Sequence, residues 1–152
     1  MSLETIYNFI RIDDRIVTGG QPTEAELRSA AAEGIVTVVN LATFDPRRSL
    51  PDEAGLVRSL GMAYHNIPVV WTDPRESDFE AFESLMGRLP PGPTLIHCAA
   101  NFRVTAFYPL YAQKHLGWSP AQAEELRARI WKGSDHPVWE RFVARIRQRI
   151  AG

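Results

Sequence analysis

The sequence of 152 residues predicts an α/β fold with three layers, in which a central, mostly parallel sheet carries helices on both faces. The runs at 35–41 and 94–98 are short, apolar and rich in β-branched residues, as is typical of strands covered on both sides. Segments with helical spacing of apolar residues alternate with these runs, and such alternation favours a parallel sheet. We expect a single domain over residues 1–152, because no repeat or linker interrupts the pattern.

Five strands are predicted from apolar or alternating runs. They cover residues 6–12, 15–18, 35–41, 62–69 and 94–98. The pair Asp13-Asp14 predicts a turn between the first two strands. In a sheet of this kind the ligand site lies beyond the carboxyl ends of the strands, where the following helices begin.

Six helices follow from capping signals, glycine stops and apolar spacing. Three of them begin with a capping box, in which a hydroxyl side chain and a Glu or Gln three residues later bond each other's backbone amides. The three boxes are Thr23 with Glu26, Ser77 with Glu80, and Ser119 with Gln122. The other three helices run through about 52–60, 107–116 and 137–150, where Gly61 and Gly117 mark two of the ends. Pro109 lacks the N–H of a helical residue, so a kink or an irregular start is expected in the second of these helices.

The composition excludes several classes of function. Seventeen basic and eighteen acidic residues give a formal charge of −1, so we expect neither a nucleic acid nor a membrane as partner. A single cysteine cannot form an internal disulfide, and the N-terminus lacks the pattern of a signal peptide. We therefore expect a cytoplasmic protein. His65, His115 and His136 have no metal-ligand spacing, so neither a metal nor another cofactor is expected.

Cys98 stands where a predicted strand ends and a helix is about to begin. A helix N-terminus offers unpaired amides and the positive end of the helix dipole, which bind oxyanions and stabilise a thiolate. Ala99 and Ala100 allow close approach to a ligand, Asn101 tolerates a positive φ, and Arg103 supplies a cation. The alternative interpretation is an inert thiol in the core.

The segment "HCAANFRVT" (97–105) resembles the signature of cysteine-dependent protein tyrosine phosphatases, particularly the small dual-specificity type. The segments "RIVTGGQPTEAEL", "GIVTVVNL" and "YHNIPV" extend the resemblance to atypical bacterial and fungal members. It implies that Cys98 attacks phosphorus to form a phosphocysteine, that an aspartate protonates the leaving oxygen, and that no metal is needed. The resemblance also implies a phosphate-binding loop. Its residues would be Ala99, Ala100, Asn101, Phe102, Arg103 and Val104.

The arginine of that signature falls on Val104 when the comparison has no gap. Asn101 then takes the place of a glycine and Thr105 that of the terminal hydroxyl residue. A one-residue deletion restores Arg103 but displaces Thr105. We favour the gapless comparison, because asparagine is a residue type that can replace a glycine of positive φ. Arg103 would then approach the phosphate from a different direction, which could weaken catalysis.

The roles of the other candidate site residues are open to more than one interpretation. Asp73 is the candidate general acid, and Asp78 is its competitor. The alternative that neither aspartate is the general acid is as open as the choice of Asp73. His97 is expected to be a buried residue that orients the backbone around Cys98. Thr105 is either a helix cap or a donor to the sulfur. Arg103 could also pair with a surface carboxylate.

The leading hypothesis is a phosphoric monoester hydrolase that acts on a phosphorylated small molecule or a phosphoprotein. A second hypothesis is a protein that binds phosphate or sulfate in the loop without turnover, and a third is a rhodanese-like sulfurtransferase. Arg47 and Arg48 form the one basic spot that could meet a polyanion, unless they face solvent, and Gln21 could face the pocket.

Overall fold

The computed structural model describes residues 2–151 and confirms the three-layer α/β architecture, while the terminal residues 1 and 152 of the expected domain lie outside it. The sheet has five strands. Their bounds are β1 Ile10–Arg11, β2 Ile16–Gly19, β3 Thr37–Asn40, β4 Ala63–Asn66 and β5 Thr94–His97. The strand order is β1-β2-β5-β3-β4, and only β1 runs antiparallel to its neighbour. β5 therefore lies at the centre of the sheet, and the segment that follows it emerges between the ends of β2 and β3.

Six α-helices and one short 3-10 helix, Leu3–Thr5, cover the sheet within residues 2–151. The bounds of the α-helices are α1 Glu24–Ala32, α2 Glu53–Ser59, α3 Glu76–Met86, α4 Phe102–His115, α5 Pro120–Trp131 and α6 Pro137–Ala151. The capping boxes at Thr23 and Ser119 are both present.

Two hydrophobic clusters lie on opposite faces of the sheet. The larger cluster joins α3, α4, α5 and α6, and the smaller one joins α1, α2 and the 3-10 helix. Successive strand residues alternate between them, since Leu95 of β5 belongs to the smaller cluster and Ile96 to the larger one. Both residues are fully buried, as expected for a central parallel strand.

Two local predictions are wrong. Residues 6–9 are not part of β1, because Asn8 takes a left-handed conformation with φ 52° that ends any extended run. α3 begins at Glu76, two residues earlier than a cap at Ser77 predicts, and Asp78 rather than Glu80 bonds the capping amide, that of Arg75. α4 runs from Phe102 to His115 with Pro109 inside it, and a kink at Pro109 stays a prediction.

None of the helices in the described part of the chain is long and apolar enough to cross a lipid bilayer.

Candidate active site

The candidate site lies at the carboxyl edge of the sheet, in the segment 98–101 that joins β5 to α4. Cys98 follows directly on the last residue of β5, and Asn101 is the N-cap of α4. Gln21 follows β2, and Thr43 follows β3, so three parallel strands bring their ends to the same place. This is the position that the strand-end rule predicts for a ligand site.

Each backbone carbonyl from residue 98 to residue 102 accepts a hydrogen bond from a group of the protein. In chain order the donors are His97 Nδ1 (3.1 Å), the Gln21 amide (2.9 Å), Asn8 Nδ2 (3.0 Å), the Thr105 amide and hydroxyl (3.1 and 2.7 Å), and Trp131 Nε1 (3.1 Å). These donors come from five different parts of the chain. They fix the direction of five consecutive peptide planes.

The Cys98 amide donates to the Gly19 carbonyl at 3.3 Å, but most of the amides that follow it have no such partner. Those of residues 99, 100, 102, 103 and 104 have no acceptor anywhere in residues 2–151. In a trans peptide the C=O and the N–H of one peptide unit point in opposite directions. Because the carbonyls of this segment point toward their donors in the protein, the N–H groups of the same peptide units point to the opposite side. The first amides of α4 add the positive end of a helix of 14 residues. Unpaired amides at a helix N-terminus are donors that an oxyanion could accept.

Asn101 has the positive φ that the gapless comparison expected, with φ 70° and ψ 7°. Its side chain does more than tolerate this conformation, because Nδ2 donates to the Asn8 carbonyl at 2.8 Å and to Thr18 Oγ1 at 2.9 Å. Asn8 donates in return to the Ala100 carbonyl. The two asparagines thus lock the cysteine loop to the segment before β1.

Gly20 permits a close approach of backbone to the same loop. A Cβ at this position would lie 2.7 Å from the Ala99 carbonyl oxygen and 3.2 Å from the Ala100 Cα. Gly20 and Ala100 form an isolated antiparallel bridge. Any larger residue at position 20 would push the loop out of place.

Cys98 is fully buried beneath the loop, where it belongs to the larger hydrophobic cluster. It does not line the cleft above the loop, whose floor is made by Ala99 and Ala100. A ligand must therefore penetrate the ring of amides before an atom of it can touch Sγ.

Arg103 does line the cleft, although it stands one position before the expected place. Its Nε donates to the Val69 carbonyl at 2.8 Å, and the guanidinium carbon lies 5.5 Å from the centre of the Trp71 ring. Its terminal nitrogens have no hydrogen-bond partner within residues 2–151. Val104, in contrast, is fully buried in the core and offers the loop only its amide.

Thr105 and His97 both serve the backbone of the loop. The Thr105 hydroxyl donates to the Asn101 carbonyl at 2.7 Å, a bond back to residue i−4 rather than a helix cap. His97 is fully buried and places its ring between the Cys98 carbonyl and a carboxylate of α2, Glu53.

Glu53 was missed by the sequence analysis. Its Oε2 lies 2.6 Å from His97 Nε2, and its Oε1 accepts a hydrogen bond from Gln21 Nε2 at 2.8 Å. Burial by itself raises the pKa of Glu53, but the hydrogen bond and the attraction of His97, together with the bond from Gln21, outweigh it and leave the pKa below its usual value of 4.5. The first turn of a short helix, followed 44 residues later by a histidine, gives no sequence signal for this pair.

A cleft of about 360 Å³ opens over the loop. One group of lining residues is aromatic and consists of Trp71, Phe102 and His136, which contact one another. A second group, with Asp45 and Arg48, belongs to the segment after β3. Arg48 belongs to the basic spot that the sequence analysis named. The strand-end rule could also have indicated Asp45, whereas nothing in the sequence indicated His136.

Asp73 and Asp78 lie outside the lining of this cleft. Asp73 is exposed, and its Oδ2 accepts hydrogen bonds from Arg75 Nε at 3.0 Å and Nη2 at 2.9 Å. Asp78 Oδ2 accepts the Arg75 amide at 2.9 Å. The role of Asp73 as general acid stays a prediction.

Several solved structures that superpose on this chain are phosphatases or are described as such. A DUF442 protein of Shewanella putrefaciens CN-32, described as a candidate phosphatase, superposes with a TM-score of 0.87 and 28% identity over 97% of this chain and 96% of its own. The chain has the fold of the cysteine-dependent protein tyrosine phosphatase superfamily. Two more distant structures share this fold. The catalytic domain of the phosphatase SIW14 of S. cerevisiae superposes with a TM-score of 0.75 at 13% identity, over 96% of this chain and 92% of its own. PTPMT1 superposes with a TM-score of 0.75 at 18% identity, over 95% of this chain and 97% of its own.

Curated relatives by sequence have a different name. Proteins of Agrobacterium fabrum and Xylella fastidiosa, both called beta-lactamase hydrolase-like protein, are 30% and 29% identical over 104 residues, or 66% of this chain. The match spans 24% of the length of these relatives. No family model matches the chain.

Proposed function

We propose that this phosphatase-like chain is a phosphoric monoester hydrolase that acts through Cys98. The observation that carries the proposal is the arrangement of the cysteine loop, in which the carbonyls of residues 98–102 are all bound and five amides have no acceptor within residues 2–151. A phosphate oxygen is the kind of acceptor that such a set of amides fits.

In the proposed reaction the phosphoryl group enters the ring of amides, and its non-bridging oxygens accept their hydrogen bonds. The terminal nitrogens of Arg103 contact the same oxygens from the cleft side, while Nε keeps its bond to Val69. The Cys98 thiolate attacks phosphorus and the bond to the leaving oxygen breaks. Water then hydrolyses the phosphocysteine and releases phosphate.

The proposed ligand is a phosphorylated small molecule or a phosphoprotein. Structures of relatives with the same fold support an anionic ligand, since SIW14 was solved with citrate and PTPMT1 with PI(5)P. Arg48, which lines the cleft, is the cation best placed to meet a further anionic group. We also propose one phosphatase-like domain that acts in the cytoplasm.

A second candidate function is the binding of a phosphorylated ligand without hydrolysis. Two observations favour it. Cys98 has no exposed surface, and the place of the family's arginine is taken by Val104, whose side chain is fully buried. The same loop would then bind phosphate, but Sγ would not become accessible to phosphorus.

The test compares the wild-type protein with Cys98→Ser, a variant of nearly equal size that leaves no other cysteine. Phosphate-dependent shifts in melting temperature report binding, and hydrolysis of an aryl phosphate reports turnover. We expect phosphate to stabilise both proteins and only the wild type to hydrolyse the ester. Stabilisation without turnover in the wild type would favour the binding protein, and turnover by Cys98→Ser would contradict a cysteine nucleophile. A persulfide on Cys98 after treatment with thiosulfate would instead indicate a sulfurtransferase.

A further inference from the structure

The cleft contains only two lining side chains, within residues 2–151, that could donate a proton near neutral pH or below. They are Asp45 and His136. The other charged lining residues, Arg48 and Arg103, stay protonated. Asp73, the acid expected from the sequence, is exposed and bound to Arg75.

His136 is held in a defined position. It precedes α6, and its carbonyl accepts the amides of Trp139 at 2.8 Å and Glu140 at 3.0 Å, which fixes its backbone to the first turn of the helix. Its ring stands edge-on to Trp71 at 5.1 Å and to Trp131 at 5.5 Å between ring centres. Aromatic packing of this kind orients a ring without using its nitrogens.

The nitrogens of the His136 ring have no hydrogen-bond partner among residues 2–151. The ring also contacts Phe102, at 6.3 Å between centres, and the Phe102 amide is one of those that line the loop. The His136 ring and the Arg103 guanidinium both contact the Trp71 indole. His136 is thus a partnerless imidazole in the same cleft as the loop and Arg103.

Asp45 is occupied in its own turn. Its Oδ1 accepts the Arg47 amide at 3.0 Å, and its backbone carbonyl accepts the amides of Arg48 and Ser49. These bonds close the loop after β3. They give Asp45 a structural role that His136 lacks.

We propose that His136 is the catalytic residue that protonates the leaving oxygen, and this inference rests on the proposed phosphatase function. As Sγ bonds to phosphorus, the bond from phosphorus to the leaving oxygen breaks, and that oxygen takes a proton from the imidazolium. In the second step the neutral imidazole takes a proton from the attacking water as the bond from sulfur to phosphorus breaks. Phosphate, the free thiolate and the imidazolium are restored. Histidine suits both steps, because an imidazolium can donate a proton and the resulting imidazole can accept one.

The test uses the dependence of rate on the leaving group. Phenol is a poor leaving group and needs protonation, whereas p-nitrophenol leaves readily as an anion. For His136→Gln we expect kcat/KM to fall about 100-fold with phenyl phosphate and less than about 10-fold with p-nitrophenyl phosphate. Asp73→Asn and Asp45→Asn should lower the rates with the two esters by equal factors. The control His115→Gln changes a histidine of α4 that pairs with Glu83 outside the cleft, and it should not change either rate.

The variants also separate this inference from the function on which it rests. A phosphate-dependent rise in melting temperature in His136→Gln shows that fold and loop persist. Equal losses with both esters in His136→Gln, or a selective loss with phenyl phosphate in Asp73→Asn or Asp45→Asn, would overturn the role of His136 while the phosphatase function stands. A wild-type protein that hydrolyses neither ester would overturn both.

Discussion

Arg103 donates a hydrogen bond of 2.8 Å from Nε to the carbonyl oxygen of Val69. The bond fastens the first turn of α4 to the segment after β4. Because the guanidinium is planar, a bond at Nε also fixes the direction of the two terminal nitrogens, which a flexible aliphatic chain alone would not do. This geometry explains how an arginine one position early can still face the cleft.

Arg103→Lys tests this role. Lysine cannot bond the Val69 carbonyl and a ligand in the same planar fork, so phosphate affinity should fall about tenfold or more. Isothermal titration with phosphate measures the loss. The control Arg28→Lys changes an exposed arginine that pairs with Glu24 on α1, and it should leave affinity unchanged. Equal affinity in wild type and Arg103→Lys would remove Arg103 from the binding site.

Asn101→Gly and Asn101→Ala separate conformation from hydrogen bonding at the loop. Glycine keeps the positive φ but loses the bonds to Asn8 and Thr18, so we expect a loss of about 1–3 kcal/mol in the free energy of unfolding. Alanine loses the same bonds and adds backbone strain of about 1 kcal/mol or more, so it should be the less stable variant. Unfolding in urea measures both.

Lys132 supplies the matched control for this pair. It has φ 50° at the end of α5 but makes no side-chain hydrogen bond within residues 2–151. Lys132→Gly should therefore stabilise the protein slightly. A comparable loss in Lys132→Gly and Asn101→Gly would show that the Asn101 side chain does not lock the loop.

Glu53→Gln tests the buried carboxylate behind the loop. The pKa of Glu53 is lowered in the folded protein, so its contribution to stability is complete above the pKa of the unfolded chain, about 4.3, and is lost as pH falls below that value. We expect the variant to be about 3 kcal/mol less stable near pH 7, because the change leaves His97 without its anionic partner. The difference should narrow as the pH falls below about 4.

Glu26→Gln is the control for this variant, because Glu26 is as buried as Glu53, each being 6% exposed, but belongs to the capping box of α1. It should leave phosphate binding unchanged, whereas Glu53→Gln should weaken it. A difference between wild type and Glu53→Gln that does not change with pH would contradict the lowered pKa.

The burial of Tyr108 predicts a loss of folding stability at alkaline pH. Burial, with smaller contributions from Asp13 and Tyr111, raises the pKa of Tyr108 to about 12. Between pH 10 and 12 the unfolded chain loses this proton and the folded chain keeps it, so stability falls by up to about 2–3 kcal/mol over that range. Tyr108→Phe removes this part of the loss. Parallel stability curves for wild type and Tyr108→Phe above pH 10 would contradict the shift.

The order of strands and helices could be predicted from the sequence because each element depends on local pattern. The apolar run at 35–41 predicts a strand from its own residues, and the capping boxes at Thr23 and Ser119 predict the starts of two helices in the same way. Asn101 was also predictable, since few residue types take its conformation. The position of residues 6–9 was not, because the two asparagines at 8 and 101 bond across 93 residues.

The rest of the site depends on contacts that no local pattern encodes. Glu53 meets His97 from a separate helix, and His136 enters the cleft only because α6 packs against Trp71, whose carbonyl accepts Trp139 Nε1 at 2.8 Å. The burial of Cys98 is likewise a result of packing, because the residues next to it in the sequence are compatible with a buried thiol and with an exposed one.

The most direct measurement of the central claim follows the backbone amide resonances of the loop while phosphate is added to the wild-type protein. If the inward amides bind the anion, the proton–nitrogen signals of residues 99, 100, 102, 103 and 104 should shift together and saturate at one common affinity. Shifts confined to other parts of the chain, or loop signals that do not move at saturating phosphate, would contradict an anion-binding loop at Cys98.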